Sequence, residues 1–196
     1  MSILVLTSDT LIGTPATGNL EYNGQFFGTD SNASRAQIQR ITQGTAVAST
    51  SGTSIDFTGL PSWVKKITVM CIGVSQNSAS QTIILQVGAG SVTTTGYSSS
   101  NAFIAPSTDS GSLTTGFPIT RGIGAAAAFH GIATICSFGS NSWVFSSTMA
   151  DAPVQGQVHF GAGSVVLGGT LDRVRLTTIG GTATFDAGSI NILYEG

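Results

Sequence analysis

The segment LDRVRLTTIGGTATFDAGSINILYE, residues 171–195, contains two runs in which apolar and polar side chains alternate. In the run Arg173–Thr178, two apolar residues alternate with two arginines. In the run Gly188–Tyr194, every second residue from Ile190 onward is apolar, and the positions between are polar except Leu193. A period of two places successive side chains on opposite faces of a strand. Each run therefore predicts a strand with one buried and one wetted face.

Similar runs recur along the chain and predict an all-β fold. They are rich in Val, Ile, Thr and Phe and are bounded by Gly, Ser, Asn or Pro, as strands usually are. Helix signals are weak, since only Ser34–Arg40 has room for one or two turns. Strand spacing of this kind is typical of a sandwich or barrel, and we predict an antiparallel β-sandwich of the jelly-roll-like kind. The further candidate strands are Ser54–Phe57, Val64–Ile72, Thr82–Val87, Tyr97–Ile104, Ala127–Phe138, Trp143–Thr148 and Gln157–Phe160.

The first 43 residues are more irregular than the rest. The dipeptide Asn23-Gly24 between β-type residues is the strongest short hairpin signal. A lone hairpin is marginal in water, so we predict that residues 1–43 form a short extended arm for attachment or oligomerisation, and that residues 44–196 form the β-sandwich domain. Three aromatic side chains of the arm are the candidate contacts with a partner protein: Tyr22, Phe26 and Phe27.

The composition excludes several classes of function. Only 8% of the 196 residues are charged, against roughly 25% in a typical domain. The seven basic residues are scattered and the net charge is -2, so no basic patch for nucleic acid is expected. No stretch approaches the ~18 apolar residues of a membrane span, and the start lacks the basic region of a secretory signal. A Ser/Thr/Gly-rich surface of low charge suits protein–protein contact or hydroxyl-rich ligands.

The residues that usually carry chemistry form no catalytic or metal-binding pattern. His130 and His159 lack ligand spacing and are expected to be ordinary packed residues. Asp172 and Asp186 look like strand-end residues rather than the two carboxylates of a glycosidase. No G-x-S-x-G nucleophile elbow occurs. We therefore predict no enzyme activity, no catalytic residue, no metal and no cofactor.

Two smaller features allow structural expectations. Cys71 and Cys136 lie in apolar runs and are expected to be free buried thiols, with a disulfide as the alternative. The sequence Gly88-Ala-Gly-Ser-Val92 recurs as Gly161-Ala-Gly-Ser-Val165. We interpret the repeat as two similar glycine turns and not as a phosphate-binding loop, because no helix follows.

Three aromatic residues outside the arm are candidates for contact with a ligand or a partner protein. Trp63, Trp143 and Tyr97 could stack on a sugar or a protein partner, with core packing as the alternative. We single out Trp143, and Tyr97 in the polar run 93–101, as the predicted receptor contacts.

Residues at both ends of the main domain resemble a known family. The run GTAVASTSGTSIDFTGLPSWVKKITVM, residues 44–70, and the closing run, residues 171–195, resemble the two ends of a C-terminal domain found in many tail-fibre proteins of tailed bacteriophages. Thr94-Thr-Gly-Tyr-Ser98 fits between them, and residues 13–27 are similar to segments that precede such domains. The resemblance implies a virion structural protein, commonly a homotrimer, made in the bacterial host cytoplasm, and it supplies no catalytic motif.

Three hypotheses about function follow. The first is a tail-fibre or tail-tip component that contacts a host surface glycan or protein through several weak copies at once. The second is a head-decoration or head-fibre protein on the capsid. The third is an enzyme that degrades host polysaccharide. The sequence names neither the host, nor the receptor, nor the virion protein that residues 1–43 would bind.

Overall fold

The computed structural model describes residues 14, 16–23, 25–105, 108–151 and 156–196. In these residues every regular element is a strand, so the predicted all-β antiparallel sandwich class is confirmed. In chain order the strands are β1 (Leu20–Tyr22), β2 (Phe26–Thr29), β3 (Arg35–Gln37), β4 (Ile41–Gln43), β5 (Val47–Ala48), β6 (Ser54–Thr58), β7 (Lys66–Gln76), β8 (Ile83–Ala89), β9 (Ser91–Val92), β10 (Ser98–Ile104), β11 (Thr108–Leu113), β12 (Phe117–Pro118), β13 (Phe129–Gly139), β14 (Ser142–Asp151), β15 (Gln157–Val166), β16 (Arg173–Thr178) and β17 (Phe185–Glu195).

Within the described ranges, no helix has the length and apolar character needed to cross a membrane.

The chain divides into two compact units, residues 1–40 and 41–196. The first contains a three-stranded antiparallel sheet in the order β1-β2-β3. Tyr22 pairs with Phe26 across the β1–β2 hairpin, so the hairpin predicted from Asn23-Gly24 is present, although Gly24 itself lies outside the described residues. β3 adds a third strand at Arg35–Gln37, so the one or two helical turns considered possible for Ser34–Arg40 are absent at these residues.

The second unit is built from two antiparallel sheets. The larger has nine strands, in the order β11-β10-β15-β14-β13-β7-β17-β4 with β5 beside β17. The smaller has five, in the order β12-β8-β16-β6 with β9 beside β8. The predicted boundary at residues 43/44 falls three residues later than the structural division, because β4 pairs with β17 and belongs to the large sheet.

A single hydrophobic core fills the space between the two sheets. Leu85 and Leu176 of the small sheet belong to the same buried cluster as Ile135 and Ile192 of the large sheet. The alternation predicted for the closing segment is confirmed, because Ile190 and Ile192 are buried together with Val174 and Leu176. An aromatic group lies at one end of the cluster, where the Phe117 ring stacks on Phe145 at 4.6 Å and meets Tyr97 edge-on at 4.8 Å.

The repeated glycine sequence folds in two different ways. In the first copy Gly88 pairs with Val92 around a turn at Gly90, which has a φ of 73°. The second copy lies within the uninterrupted strand β15, where Gly161 pairs with both Asn101 and Ser147. The turn interpretation is therefore confirmed for the first copy and wrong for the second.

The two cysteines are free, as expected. They lie on neighbouring strands but on opposite faces of the large sheet, since Cys71 is buried in the core and Cys136 alternates with the buried Ile135. Burial raises the pKa of the Cys71 thiol to about 12, so this thiol is unreactive at neutral pH.

Candidate interaction surfaces

The outer face of the large sheet consists of aligned rows of side chains. In an antiparallel sheet, directly opposed residues point to the same face. Following the pairing through β10, β15, β14, β13, β7 and β17 gives three continuous rows, which we call the outer face. The first row is Ala102, Phe160, Thr148, Ile132, Met70 and Asn191. The second is Ser100, Ala162, Ser146, Thr134, Thr68 and Leu193; the third is Ser98, Ser164, Val144, Cys136, Lys66 and Glu195.

This outer face mixes exposed apolar side chains with hydroxyl side chains and is almost free of charge. Ile132 is 52% exposed, Val144 43% and Phe160 42%. Lys66 and Glu195 are the only charged members of the three rows, and they neutralise each other through an ion pair of 2.9 Å between Nζ and Oε1. Large exposed apolar patches on soluble proteins usually mark interaction sites. The outer face is therefore the strongest candidate surface in the described residues.

The rows differ in side-chain size from one end to the other. On β10 and β15 the side chains are mostly small, and they leave two shallow depressions. One has a volume of about 410 Å³ and is lined by Ser100, Ala102 and Ala162 among others. The second, of about 400 Å³, is lined by Ser98 and Ser112 among others. Toward β13 and β7 the face carries the larger Ile132 and Met70, and neither of these side chains lines the two depressions.

A second apolar face lies on the small sheet of the N-terminal unit. Leu20, Phe26 and Ile38 are 61%, 41% and 49% exposed. Tyr22 pairs with Phe26, and the N–H of Ile38 donates to the Phe26 carbonyl at 2.8 Å, so the side chains of Tyr22, Phe26 and Ile38 share one face. Leu20 lies on the same face, because it is two residues before Tyr22 on β1. The Tyr22 and Phe26 rings are in contact, with centroids 5.0 Å apart.

The opposite face of the N-terminal sheet is polar. Glu21 and Arg35 form an ion pair of 2.6 Å there. Phe27 lies on this polar side, because it is opposed by Glu21 and Gln37. The structure thus brings Tyr22 and Phe26 together on the apolar face and places Phe27 on the other.

Tyr97 lies in the core and not at the surface. Its side chain is only 2% exposed. The N–H of Val87 donates to the Tyr97 hydroxyl oxygen at 2.8 Å, and the hydroxyl is 3.0 Å from the Thr93 carbonyl oxygen, to which it donates. Burial raises the pKa of Tyr97 to about 12. The predicted receptor contact is wrong for this residue, because its ring fills the core and its hydroxyl ties two strand ends together.

Trp143 is also a core residue. It is 5% exposed, and its indole N–H has no hydrogen-bond partner among the described residues. A ring enclosed in this way cannot stack on a sugar or on a flat protein surface. The receptor contact predicted for Trp143 is therefore wrong in this fold as well.

Two buried ionisable side chains lie on the inner face of the large sheet. His159 is fully buried between Phe103 and Phe129, with ring centroids 5.5 Å and 5.3 Å away. The backbone N–H of Arg121 donates to His159 Nδ1 at 3.2 Å, and burial lowers the pKa of the imidazole to about 4. Asp151 is fully buried too, and burial raises its pKa above the usual value. Neither group reaches the surface, so neither is placed to act on a substrate.

Most other described carboxylates are held in ion pairs. Asp109 pairs with Arg121 at 2.6 Å, and the hydrogen bond from Arg121 lowers the pKa of the carboxyl. Asp172 is held by Arg173 at 2.8 Å and its pKa is lowered for the same reason. A glycosidase acid needs a raised pKa, and these two carboxylates have the opposite shift. Within the described part of the chain, no group of three or more His, Cys, Asp or Glu side chains is placed to hold a metal ion.

Comparison with protein-family models, with curated proteins and with solved structures gave no match.

Proposed function

We propose that this chain is a non-enzymatic structural protein of a bacteriophage virion, a tail-fibre or tail-tip component that assembles as a homo-oligomer, with a homotrimer as the expected form. The observation that carries the proposal is the presence of two units that each leave large apolar side chains exposed on one sheet face. Apolar side chains exposed on a sheet face are unfavourable in water, and they contribute to stability when another surface covers them.

The N-terminal unit supports an attachment role. A three-stranded sheet of this size cannot bury two faces by itself. One of its faces is uncharged and carries Leu20, Tyr22, Phe26 and Ile38. The other face carries the Glu21–Arg35 ion pair. We propose that the apolar face docks on another virion protein, which fixes the chain to the particle.

The second unit supports the role of a displayed module without a reacting centre. Its two fully buried ionisable groups, His159 and Asp151, do not reach the surface, several of its carboxylates and basic groups are tied in ion pairs such as Arg175–Asp56, and its sequence resembles the terminal domain of tail fibres. Attachment to a host glycan or protein would then come from several weak contacts acting together, each with an affinity too low to hold the particle alone.

The location in the virion can be tested directly. Purified particles of the virus that encodes the chain are labelled with gold-conjugated antibody against the full chain and imaged by electron microscopy. Label at the tail is the expected result. Label distributed over the head would favour the second candidate, a head-decoration or head-fibre protein on the capsid, and absence of the chain from particles would contradict both.

The attachment role of the arm needs a separate experiment. A virus lacking the gene is complemented with Phe26→Ser, or with Gln37→Ala as a matched control on the opposite face of the same small sheet. Phe26→Ser should strongly reduce the copies per particle, and Gln37→Ala should leave them unchanged. Equal incorporation of both variants would exclude this face as the attachment surface.

Host contact has its own measurement. Purified full-length protein should compete with virus particles for adsorption to host cells, in a dose-dependent way. Incubation of the protein with host capsule or lipopolysaccharide should leave the polysaccharide chain length unchanged. Shortened chains would revive the enzyme hypothesis.

A further inference from the structure

We infer that the outer face of the large sheet packs against the same face of a second copy of this chain. The inference rests on the proposed homo-oligomer and names the surface through which its copies meet. Four features of the face support it: its lack of net charge, its position relative to the charged pairs, its area and its uneven relief.

Charge favours contact of this face with itself. When a surface meets its own copy, any unpaired charge meets a like charge or loses its hydration, and both are costly. In the three rows the only charges are Lys66 and Glu195, and they already compensate each other within one chain. Hydroxyl side chains such as Thr148 and Ser146 can donate and accept hydrogen bonds with their own kind. The face is therefore compatible with itself without any further adjustment.

The opposite side of the sandwich provides the contrast. There Arg175 of the small sheet pairs with Asp56 at 2.6 Å, and Arg173 pairs with Asp172 at 2.8 Å. Val174 and Leu176 on the same strand point into the core, so both arginines face outward. The outer side of the small sheet thus carries two arginine–aspartate pairs, whereas the three rows of the large sheet carry only the Lys66–Glu195 pair at one end, as expected when the small sheet faces solvent.

The area of the whole outer side is sufficient for a stable contact. Six strands spaced about 4.8 Å apart, each about ten residues long at about 3.4 Å per residue, give the whole outer side of the sheet dimensions of about 24 Å by 34 Å, or roughly 800 Å², and the three rows cover about half of it. A standard stable interface buries about 800 Å² on each partner.

The relief of the face indicates how two copies would fit. The depressions lie over Ser100 and Ala162 on β10 and β15, and the larger Ile132 and Met70 lie on β13 and β7. If the second copy is turned so that its strands β13 and β7 lie over β10 and β15 of the first, Ile132 and Met70 of each copy face the depressions of the other. In a two-fold dimer this contact forms twice, once from each copy to the other. In a closed ring it forms once between each copy and its neighbour.

The test measures the solution mass of the full chain by light scattering. Wild type should have a mass that is a multiple of 19.9 kDa. The double variant Ile132→Lys, Phe160→Lys should have the mass of a single chain at the same concentration. In this variant, contact between the two outer faces would bring lysines of one copy close to lysines of the other. Ile179→Lys is the matched control, since Ile179 is 40% exposed and follows a strand of the small sheet. It should keep the wild-type mass.

Cys136 provides a second, independent readout. It lies in the third row and is half-buried, while Cys71 is buried in the core. Maleimide should modify Cys136 at least tenfold faster in the double variant than in wild type, with Cys71 protected in both. Reaction of Cys71 would reveal that the double variant is misfolded. The measurements would then be repeated with Val144→Lys in place of the double variant.

A wild-type mass of one chain at tens of micromolar would overturn the inference. An unchanged mass in the correctly folded double variant would also overturn it, because the copies would then meet through another surface. Neither result would affect the proposed virion location, because that proposal is tested by labelling particles.

Discussion

Protonation of His159 should destabilise the folded chain by about 3 kcal/mol as the pH falls from 6.5 to about 4. The ring is fully buried between two phenylalanines, and its Nδ1 accepts a hydrogen bond from the backbone N–H of Arg121 at 3.2 Å. A proton on Nδ1 would remove this acceptor and place a charge among apolar side chains. The folded chain therefore favours the neutral imidazole.

The direction and size follow from the two pKa values. In the unfolded chain the histidine has its ordinary pKa of 6.5, and in the folded chain burial lowers the pKa of His159 to about 4. Above pH 6.5 both states are neutral and the stabilisation is fully present. As the pH falls from 6.5 to about 4 the unfolded state takes up the proton first, and the stabilisation is lost. One pKa unit corresponds to about 1.36 kcal/mol, which gives about 3 kcal/mol over this interval.

Three carboxyl groups also affect the pH dependence of the unfolding free energy, and their contribution must be separated from that of His159. Burial raises the pKa of Asp151, so its protonation on acidification works in the opposite direction and reduces the net loss. Hydrogen bonds from arginines lower the pKa values of Asp109 and Asp172, so these two groups lose stabilisation only below about pH 3.8. A comparison of two variants that share all three aspartates removes their contribution.

The assay is urea unfolding of wild type and His159→Gln at fixed protein concentration, from pH 7.5 to 4.5. Glutamine keeps a carbonyl that can accept the Arg121 N–H but cannot be protonated in this range. The unfolding free energy of wild type should fall by about 2 to 3 kcal/mol more than that of the variant. Parallel pH dependence of the two proteins would refute the assignment of a buried neutral histidine.

Two further predictions concern single contacts in the core. Tyr97→Phe removes the hydroxyl that accepts the Val87 N–H at 2.8 Å, and should lower the unfolding free energy by about 1 to 3 kcal/mol in urea titrations. Gly161→Ala places a methyl group against the carbonyl oxygen of Pro118 and should lower the thermal midpoint clearly, whereas Gly168→Ala, which has open space around its Cβ position, should change it little.

The strand pattern could be predicted from the sequence where alternation was unbroken. Arg173–Thr178 has the predicted bounds, because Val174 and Leu176 alternate with two arginines and the β-branched Thr177 and Thr178 follow. β17 begins earlier than predicted, because register shifts between Phe185 and Ser189 break the period of two. Val47–Ala48 and Phe117–Pro118 are two-residue strands that are too short to show any period, and they depend on pairing with distant partners.

The outer face could not be read from the sequence, because its rows join residues that are far apart in the chain. Phe160, Thr148, Ile132 and Met70 are neighbours only through the pairing of four strands. The low charge of the chain was the one signal available for such a face. The burial of Tyr97 also depends on tertiary packing, since a tyrosine in a Ser/Thr-rich run suits a surface equally well.

The most direct test of the assembly is an electron cryomicroscopy reconstruction of the purified wild-type protein. We predict two or more copies in contact through the large sheet, with Ile132 and Phe160 enclosed between chains and the Arg175–Asp56 pair facing solvent. A reconstruction in which Ile132 and Phe160 face water, or in which copies meet through the small sheet, would contradict this prediction.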